Sequence, residues 1–216
     1  MNDTSSIVPT VDLAAEVGRG EFYERARTQH LAPLWRVLAG LVTETPRHAC
    51  QPAIWHYEAV RPYLMEACAL IGAAEAERRV LVLENPGMPG QSRATQSLFA
   101  GLQIILPGEI APPHRHAASA LRFIIEGRDA YTAVGGERTT MSPGDFVITP
   151  SMAWHDHGNE SDGPMVWLDG LDMHIVNLLG TSFREGHPDR THPITRPEGA
   201  AWAEAGSNML PIDQTY

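Results

Sequence analysis

The sequence predicts a mainly β protein, an antiparallel sandwich or barrel preceded by a helical segment, and three observations carry that prediction. Short β-forming runs crowd the middle of the chain, strong turn signals separate them, and helical periodicity is confined to the region before them. The runs are "RRVLVLEN", "TQSLFAGLQIIL", "LRFIIEG", "DAYTAV", "ERTTM", "DFVITP" and "MVWLDGLDMHIVNLL". Between them stand "PGMPG", "PGE", "GG", "SPGD" and "NESDGP", each rich in residues that reverse a chain.

Before the β region, residues 11 to 43 read as helical, interrupted near Gly18 to Gly20 and again at Pro33. Leu31, Leu34, Trp35, Leu38 and Leu41 follow helical spacing and are expected to form a core-facing stripe. "TETPRHACQPAIW" is loop-like, and "RPYLMEACALIGAAEAE" reads as a further helix with Pro62 near its start and Gly72 weakening its end. The segment from Thr181 to Tyr216 is rich in Pro, Gly and charge and shows little periodicity. Three regions follow: a helical or extended region over 1–78 packing on the barrel, the β domain over 79–180, and a tail or linker over 181–216.

Composition narrows the function classes. A chain of 216 residues with 43% hydrophobic and 19% charged residues can bury a sizeable core. Its net charge of −10 argues against nonspecific nucleic-acid binding. The two cysteines, Cys50 and Cys68, match neither a disulfide framework nor a zinc-ribbon spacing and suit a reducing cytoplasm. "MNDTSSIVPT" lacks the basic and apolar regions of a signal peptide, and no apolar run approaches the ~20 residues that span a bilayer. A cytoplasmic protein without membrane or nucleic-acid partners is expected.

The chemistry is concentrated in histidines. Ten are present, and composition alone would give roughly 0.4 His-x-His pairs, yet there are two, His114/His116 and His155/His157. Residues two apart on a strand point to the same face, so each pair projects together as ligands of one metal ion must. If the first strand continues without a bulge, Ala118, Ala120, Arg122 and Ile124 share the face of His114 and His116. Arg122 would then enter the interior, where an unpaired guanidinium is costly and an anionic partner is needed. In "WHDHGN", Asp156 points away from its flanking histidines, one of which would ligate while the other supports. Imidazoles alone do not choose among iron, zinc, copper and nickel. Satisfied or surface histidines holding no metal are the alternative for the two pairs. His30, His48, His56, His174, His187 and His192 are isolated and read as structural.

These residues resemble the cupin superfamily. Its first motif, G-x5-H-x-H-x3-E-x6-G, matches Gly108, His114, His116 and Gly127, with Ala120 in the glutamate position. Its second, G-x5-P-x-G-x2-H-x3-N, matches Gly144, Pro150, His155 and Asn159, with Met152 in place of the inner glycine. The resemblance implies a double-stranded β-helix, or jelly-roll barrel, behind an N-terminal helical segment. More narrowly, "GLQIILPGE", "PPHRHAASALRFIIEG", "AYTAVGGERTTMSPGDFVITPSMAWHDHGNES" and "VWLDGLD" are similar to the gentisate 1,2-dioxygenase family, whose relatives cleave 1-hydroxy-2-naphthoate and salicylate. "LAPLWRVL" and "EAERRVLVLENPG" extend the likeness from about residue 30 to residue 180.

That family uses Fe(II) and dioxygen to split the ring between the carboxylate-bearing and hydroxyl-bearing carbons. The resemblance implies that His114, His116 and His155 hold iron and that Arg122 meets the substrate carboxylate. It also implies that His157 contacts the substrate as a hydrogen-bonding or acid-base group, with Gln103 and Arg78 completing the pocket. Asp169 would be the carboxylate that orients a histidine, and Phe99 aligns with a pocket aromatic but suits core packing equally. Without the glutamate, the site would accept a chelating anion and dioxygen together. Family members are longer and carry a second cupin domain, so the 181–216 segment is expected to run toward an absent second cupin, and a homo-oligomer is expected. Gentisate opening to maleylpyruvate is the leading reading. A metal-dependent cupin isomerase, decarboxylase or zinc hydrolase, and a non-catalytic acid-binding half-cupin, are the alternatives.

Overall fold

A computed structural model describes residues 13–205, so the start of the expected first helix, the "MNDTSSIVPT" segment and the end of the expected tail lie outside the described residues. Contacts group the chain into two units, 1–47 and 48–216. The first contains helices α1 (Leu13–Thr28) and α2 (Leu34–Leu41). Trp35 Nε1 donates to the Tyr23 hydroxyl at 3.2 Å, and Arg36 lies over the Tyr23 ring. The expected core-facing stripe is not buried: Leu31, Leu34, Trp35, Leu38 and Leu41 are all exposed, and α2 has no buried residue. Helix α2 is only eight residues long and buries none of them, so helical periodicity here marks an apolar face without a core within this unit.

The second unit begins with α3 (Tyr57–Leu70) and the single turn α4 (Ala73–Ala76). Helix α3 starts four residues earlier than the sequence suggested, because Pro62 in the second turn forfeits only one backbone bond. Ten strands follow: β1 (Arg79–Val82), β2 (Phe99–Ile105), β3 (Ile110–His116), β4 (Ala120–Glu126) and β5 (Ala130–Val134). Then come β6 (Glu137–Met141), β7 (Phe146–Thr149), β8 (His155–Asn159) and β9 (Met165–Leu171). Helix α5 (Met173–Leu178), β10 (Arg184–Gly186) and α6 (Ala200–Ala205) complete the described chain.

Two five-stranded antiparallel sheets result, ordered β1-β2-β9-β4-β7 and β10-β3-β8-β5-β6, the arrangement of a jelly-roll barrel. The outer face of the first sheet is covered by α3 over β2 and β9, while Phe123, Phe146 and Ile148 on β4 and β7 stay exposed. Leu102, Ile104 and Val166 point outward and pack with Leu64 of α3. The Arg61 guanidinium and the Tyr57 hydroxyl both donate to Glu126, tying α3 to β4. Residues of opposite parity, Ile105, Ile124, Met165 and Trp167, form the inner core with Ala130 and Met141.

Three expectations about these elements need correction. The run "MVWLDGLDMHIVNLL" divides at Asp172 into β9 and α5, since a short apolar run reads equally as strand or helix. The aperiodic segment after Thr181 contributes β10 and α6, held by partners distant in sequence. Glu137 accepts from the Gly199 and Ala201 amides, and Asp156 accepts from both the amide and the ring of His192. Finally, β3 and β4 are not one strand. The chain leaves one sheet after His116, turns through 117–119 and enters the other, so strand parity does not connect the histidines to Arg122.

Gly127 ends β4 at φ +94, and an added Cβ would meet the Pro164 carbonyl at 2.5 Å and the Met165 Cα at 2.9 Å. Gly127→Ala should therefore lose about 2–4 kcal/mol, from the left-handed backbone and the contact with β9 together. Chemical denaturation reads this as a lower midpoint with an unchanged slope.

Candidate metal centre

β3 and β8 lie side by side with His114 directly opposite His155. Neither Pro112 nor Pro113 has an N–H to donate to this ladder, and the register shifts between Ala111 and His114, where they stand. The turn that delivers His155 is strained: Met152, in the position of the motif glycine, keeps a φ of 62°. Its amide donates to the His116 carbonyl at 2.9 Å, which locks that turn to the end of β3.

The result is a convergence of three imidazoles, His114, His116 and His155, whose candidate ligand atoms all lie within 4.8 Å of one another. Ring centroids are separated by 4.1 Å for His114 and His155 and by 4.8 Å for His116 and His155. Each Nδ1 faces a main-chain carbonyl: Pro112 at 3.1 Å, Ala118 at 2.7 Å and Ala153 at 2.9 Å. A carbonyl only accepts, so each Nδ1 carries the proton and each Nε2 presents a lone pair. Nε2 of His114 and of His155 are buried without a partner among the described residues, which is expensive unless something binds them.

Electrostatics keeps these rings neutral. Burial is the first cause, lowering His114 from 6.5 to about 3 and His155 to about 2, with His116 lowered as well. Neighbouring cations add to this: Arg78 and Arg184 act on His114, Arg122 on His155, and Arg78 and Arg122 on His116. Neutral imidazoles with free Nε2 atoms are what a borderline divalent metal requires. The sign for the metal-free protein follows. Folded His114 and His155 stay unprotonated below 6.5, whereas the unfolded chain takes up those protons, so stability falls as pH falls. Each ring should remove up to about 1.4 kcal/mol per pH unit in that window. Urea midpoints of metal-stripped protein between pH ~7 and ~5 should therefore drop, and a flat profile would contradict the burial of neutral rings.

The other expected residues fall around this cluster. Arg122 on β4 is buried at 3% exposure, opposite Asp169 on β9. Its Nη1 donates to Thr149 Oγ1 at 2.5 Å, and its Nε lies 3.4 Å from Asp169 Oδ1. Burial pushes the Asp169 carboxyl up and the Arg122 guanidinium down, each opposed by the other's charge. Asp169 also accepts from the Trp167 indole at 3.0 Å, so its polar partners are Arg122 and Trp167 rather than a histidine. His157 is buried on β8, with Nδ1 against the Thr132 hydroxyl and its ring 5.4 Å from that of Trp167. Burial, followed by the charge of Arg122, keeps it neutral.

Gln103 is buried on β2 and shares the inward parity of Ile105. Arg78, just before β1, is lowered to about 10 by burial and by the charges of Arg184 and Arg122. Phe99 is half-buried at the start of β2. Thr132, Thr149 and Trp167 were not anticipated, although strand parity within their own runs places them inward. Arg184 was not anticipated either, and its segment carries no sequence signal. The arrangement joins a site for a cation to guanidinium groups that attract an anion, inside a barrel that also encloses the apolar cluster of Ile105, Ile124, Met165 and Trp167.

A jelly roll with three convergent histidines at the two motif positions defines a cupin with a metal centre, and the cupin domain family matches residues 101–171. Within the cupins, the chain is similar to the gentisate 1,2-dioxygenases and their relatives. It is 58% identical over 195 residues to gentisate 1,2-dioxygenase 1 of Aquipseudomonas alcaligenes, covering 90% of this chain and 56% of that one. It is 38% identical to a 1-hydroxy-2-naphthoate 1,2-dioxygenase of Nocardioides sp. (strain KP7), covering 97% of this chain and 54% of the relative. The crystal structure of salicylate 1,2-dioxygenase from Pseudoaminobacter salicylatoxidans with gentisate superposes with a TM-score of 0.79 at 30% identity, covering 98% of this chain and 57% of that one. The chain thus spans little more than half the length of these relatives. No helix among the described residues is long and apolar enough to cross a membrane.

Proposed function

We propose that this protein is a ring-cleaving dioxygenase that uses Fe(II) and dioxygen to open aromatic hydroxy-acids, with gentisate going to maleylpyruvate. The observation that carries the reading is the acid-free set of three neutral imidazoles beside a buried guanidinium. His114, His116 and His155 fit a divalent metal, since their Nε2 atoms converge and two are otherwise orphaned. Iron there would supply Lewis acidity toward the acid's carboxylate and ortho-hydroxyl and redox chemistry toward dioxygen.

The chain's own residues do the rest. Arg122, braced by Thr149 and Asp169, receives the carboxylate through charge-assisted hydrogen bonds, with Arg78 adding positive potential. The Thr132 hydroxyl is hydrogen-bonded to His157 Nδ1; in the tautomer where the hydroxyl donates, Nε2 carries the proton that serves the substrate hydroxyl or the oxygenated product. Gln103 contributes an amide to the wall between them, and the inner apolar core excludes bulk water. Asp169 serves as the acid that aims Arg122. Residues 79–180 supply most of the metal-binding barrel, β10 adds an edge strand to it, and the remainder of 181–216 leads toward a second cupin domain, in a cytoplasmic homo-oligomer.

Reconstitution with Fe(II) followed by oxygen uptake with gentisate, salicylate and 1-hydroxy-2-naphthoate tests this reading. Stoichiometric oxygen consumption with loss of the aromatic absorbance is expected. Bound zinc with no uptake on any of the three would overturn it in favour of non-redox cupin chemistry.

A further inference from the structure

β10 is the outer strand of its sheet, and its register against β3 sets Arg184 opposite His116, Glu185 opposite Arg115 and Gly186 opposite His114. Directly opposed residues project to the same face. The outer face is marked by the Arg115–Glu185 ion pair at 2.6 Å, with the Arg115 guanidinium over the Trp154 ring. The inner face therefore carries His114, His116 and Arg184. Gly186 sets no side chain against His114 on that face, while Arg184 extends beside His116.

At its far end Arg184 meets Glu77 at 2.9 Å, with the two side chains 48% and 57% exposed. Glu77 precedes Arg78 and occupies an unusual conformation, φ 52° and ψ −46°, with the Arg78 amide bonded back to the Ala76 carbonyl. Such a three-residue turn is strained for a residue with a side chain. In that turn Glu77 neutralises Arg184, and Arg78 has no ion-pair partner among the described residues. The charge of Arg184 reaches both Arg78 and His114. An exposed pair of this kind contributes little to stability, so Arg184 loses little by exchanging one carboxylate for another.

We propose that Arg184 is a substrate-recognition residue at the mouth of the three-histidine site, held by Glu77 until the carboxylate of an incoming aromatic acid, which Arg122 meets from within the barrel, replaces it. The proposal rests on the aromatic-acid reading of the site given above. Glu77 competes with the substrate for Arg184, so the two residues have opposite effects on affinity. A purely structural clip between β10 and the turn before β1 would give effects of the same sign.

The test is anaerobic titration of the full Fe(II)-loaded chain with gentisate, with its methyl ester as the control, at matched iron content. Arg184→Ala should weaken gentisate binding roughly tenfold and leave the ester unaffected. Glu77→Ala should tighten gentisate binding about two- to threefold, and that gain should vanish in the Arg184→Ala background. Weaker binding in both single variants, unchanged binding in Arg184→Ala, or a Glu77→Ala gain that persists without Arg184 overturns the proposal. Oxygen uptake by the unmodified chain reads the ring-cleavage reaction separately. Gentisate binding that shows the opposed effects without oxygen uptake overturns ring cleavage and supports the role of Arg184. Oxygen uptake with unchanged Arg184→Ala affinity supports ring cleavage and overturns the role of Arg184.

Discussion

His155→Ala is expected to abolish iron retention and to lower oxygen uptake by well over roughly 100-fold, a larger loss than removing a group that only supports a ligand. His155 faces His114 across the strand ladder and has its Nδ1 fixed by the Ala153 carbonyl, so its Nε2 has no role except toward the centre of the cluster. Removing it leaves two ligands on one strand and none on the neighbouring one. The fold should survive, because the ring lies among polar neighbours and Asp156 remains held by His192 on the other side of β8. Metal analysis after gel filtration and an oxygen-electrode trace check the two effects together, with circular dichroism confirming the β fold. Full iron occupancy and normal turnover in this variant would remove His155 from the ligand set.

How much of this was legible in the sequence depended on distance along the chain. The two His-x-His pairs were legible because strand parity acts over two residues, and His155 and His157 do share one short strand, β8. The turn signals placed most strands within a few residues, and β6 coincides with "ERTTM". Parity failed between His116 and Arg122, because a change of sheet at 117–119 leaves no mark in a run that reads as continuous β. Arg122 still reaches the interior, through the opposite sheet and alongside Asp169. The partner of Asp169 was not legible, since the two residues meet only through the register of β4 and β9. The α2 stripe misled for a different reason: periodicity reports an apolar face but not whether anything covers it. β10 and Arg184 were invisible because a three-residue edge strand borrows its hydrogen bonds from β3 and needs no pattern of its own.

Substitution at Arg122 should separate substrate binding from the stability of a buried ion pair. Arg122→Ala removes the guanidinium that faces Asp169 and leaves a carboxylate at 7% exposure without its cation. Breaking one side of such a pair costs about 3–5 kcal/mol, so this variant should unfold at markedly lower denaturant as well as bind substrate poorly. Arg122→Lys keeps a charge but loses the planar fork that reaches Thr149 and Asp169 together, and KM should rise about tenfold with a smaller loss of stability. The informative protein is the double variant Arg122→Met, Asp169→Asn. It removes both charges, keeps comparable volume and should recover most of the stability lost in Arg122→Ala. If Arg122 receives the carboxylate, KM for gentisate in this stable double variant should remain raised about 100-fold, with kcat also lowered because the ring is no longer aligned. Iron content should be unchanged, since no imidazole contacts either side chain through a hydrogen bond among the described residues. Steady-state oxygen uptake at saturating iron, with denaturation of the same samples, measures both quantities. A double variant with recovered stability and ordinary KM would show that Arg122 and Asp169 hold the barrel together and that another cation receives the acid.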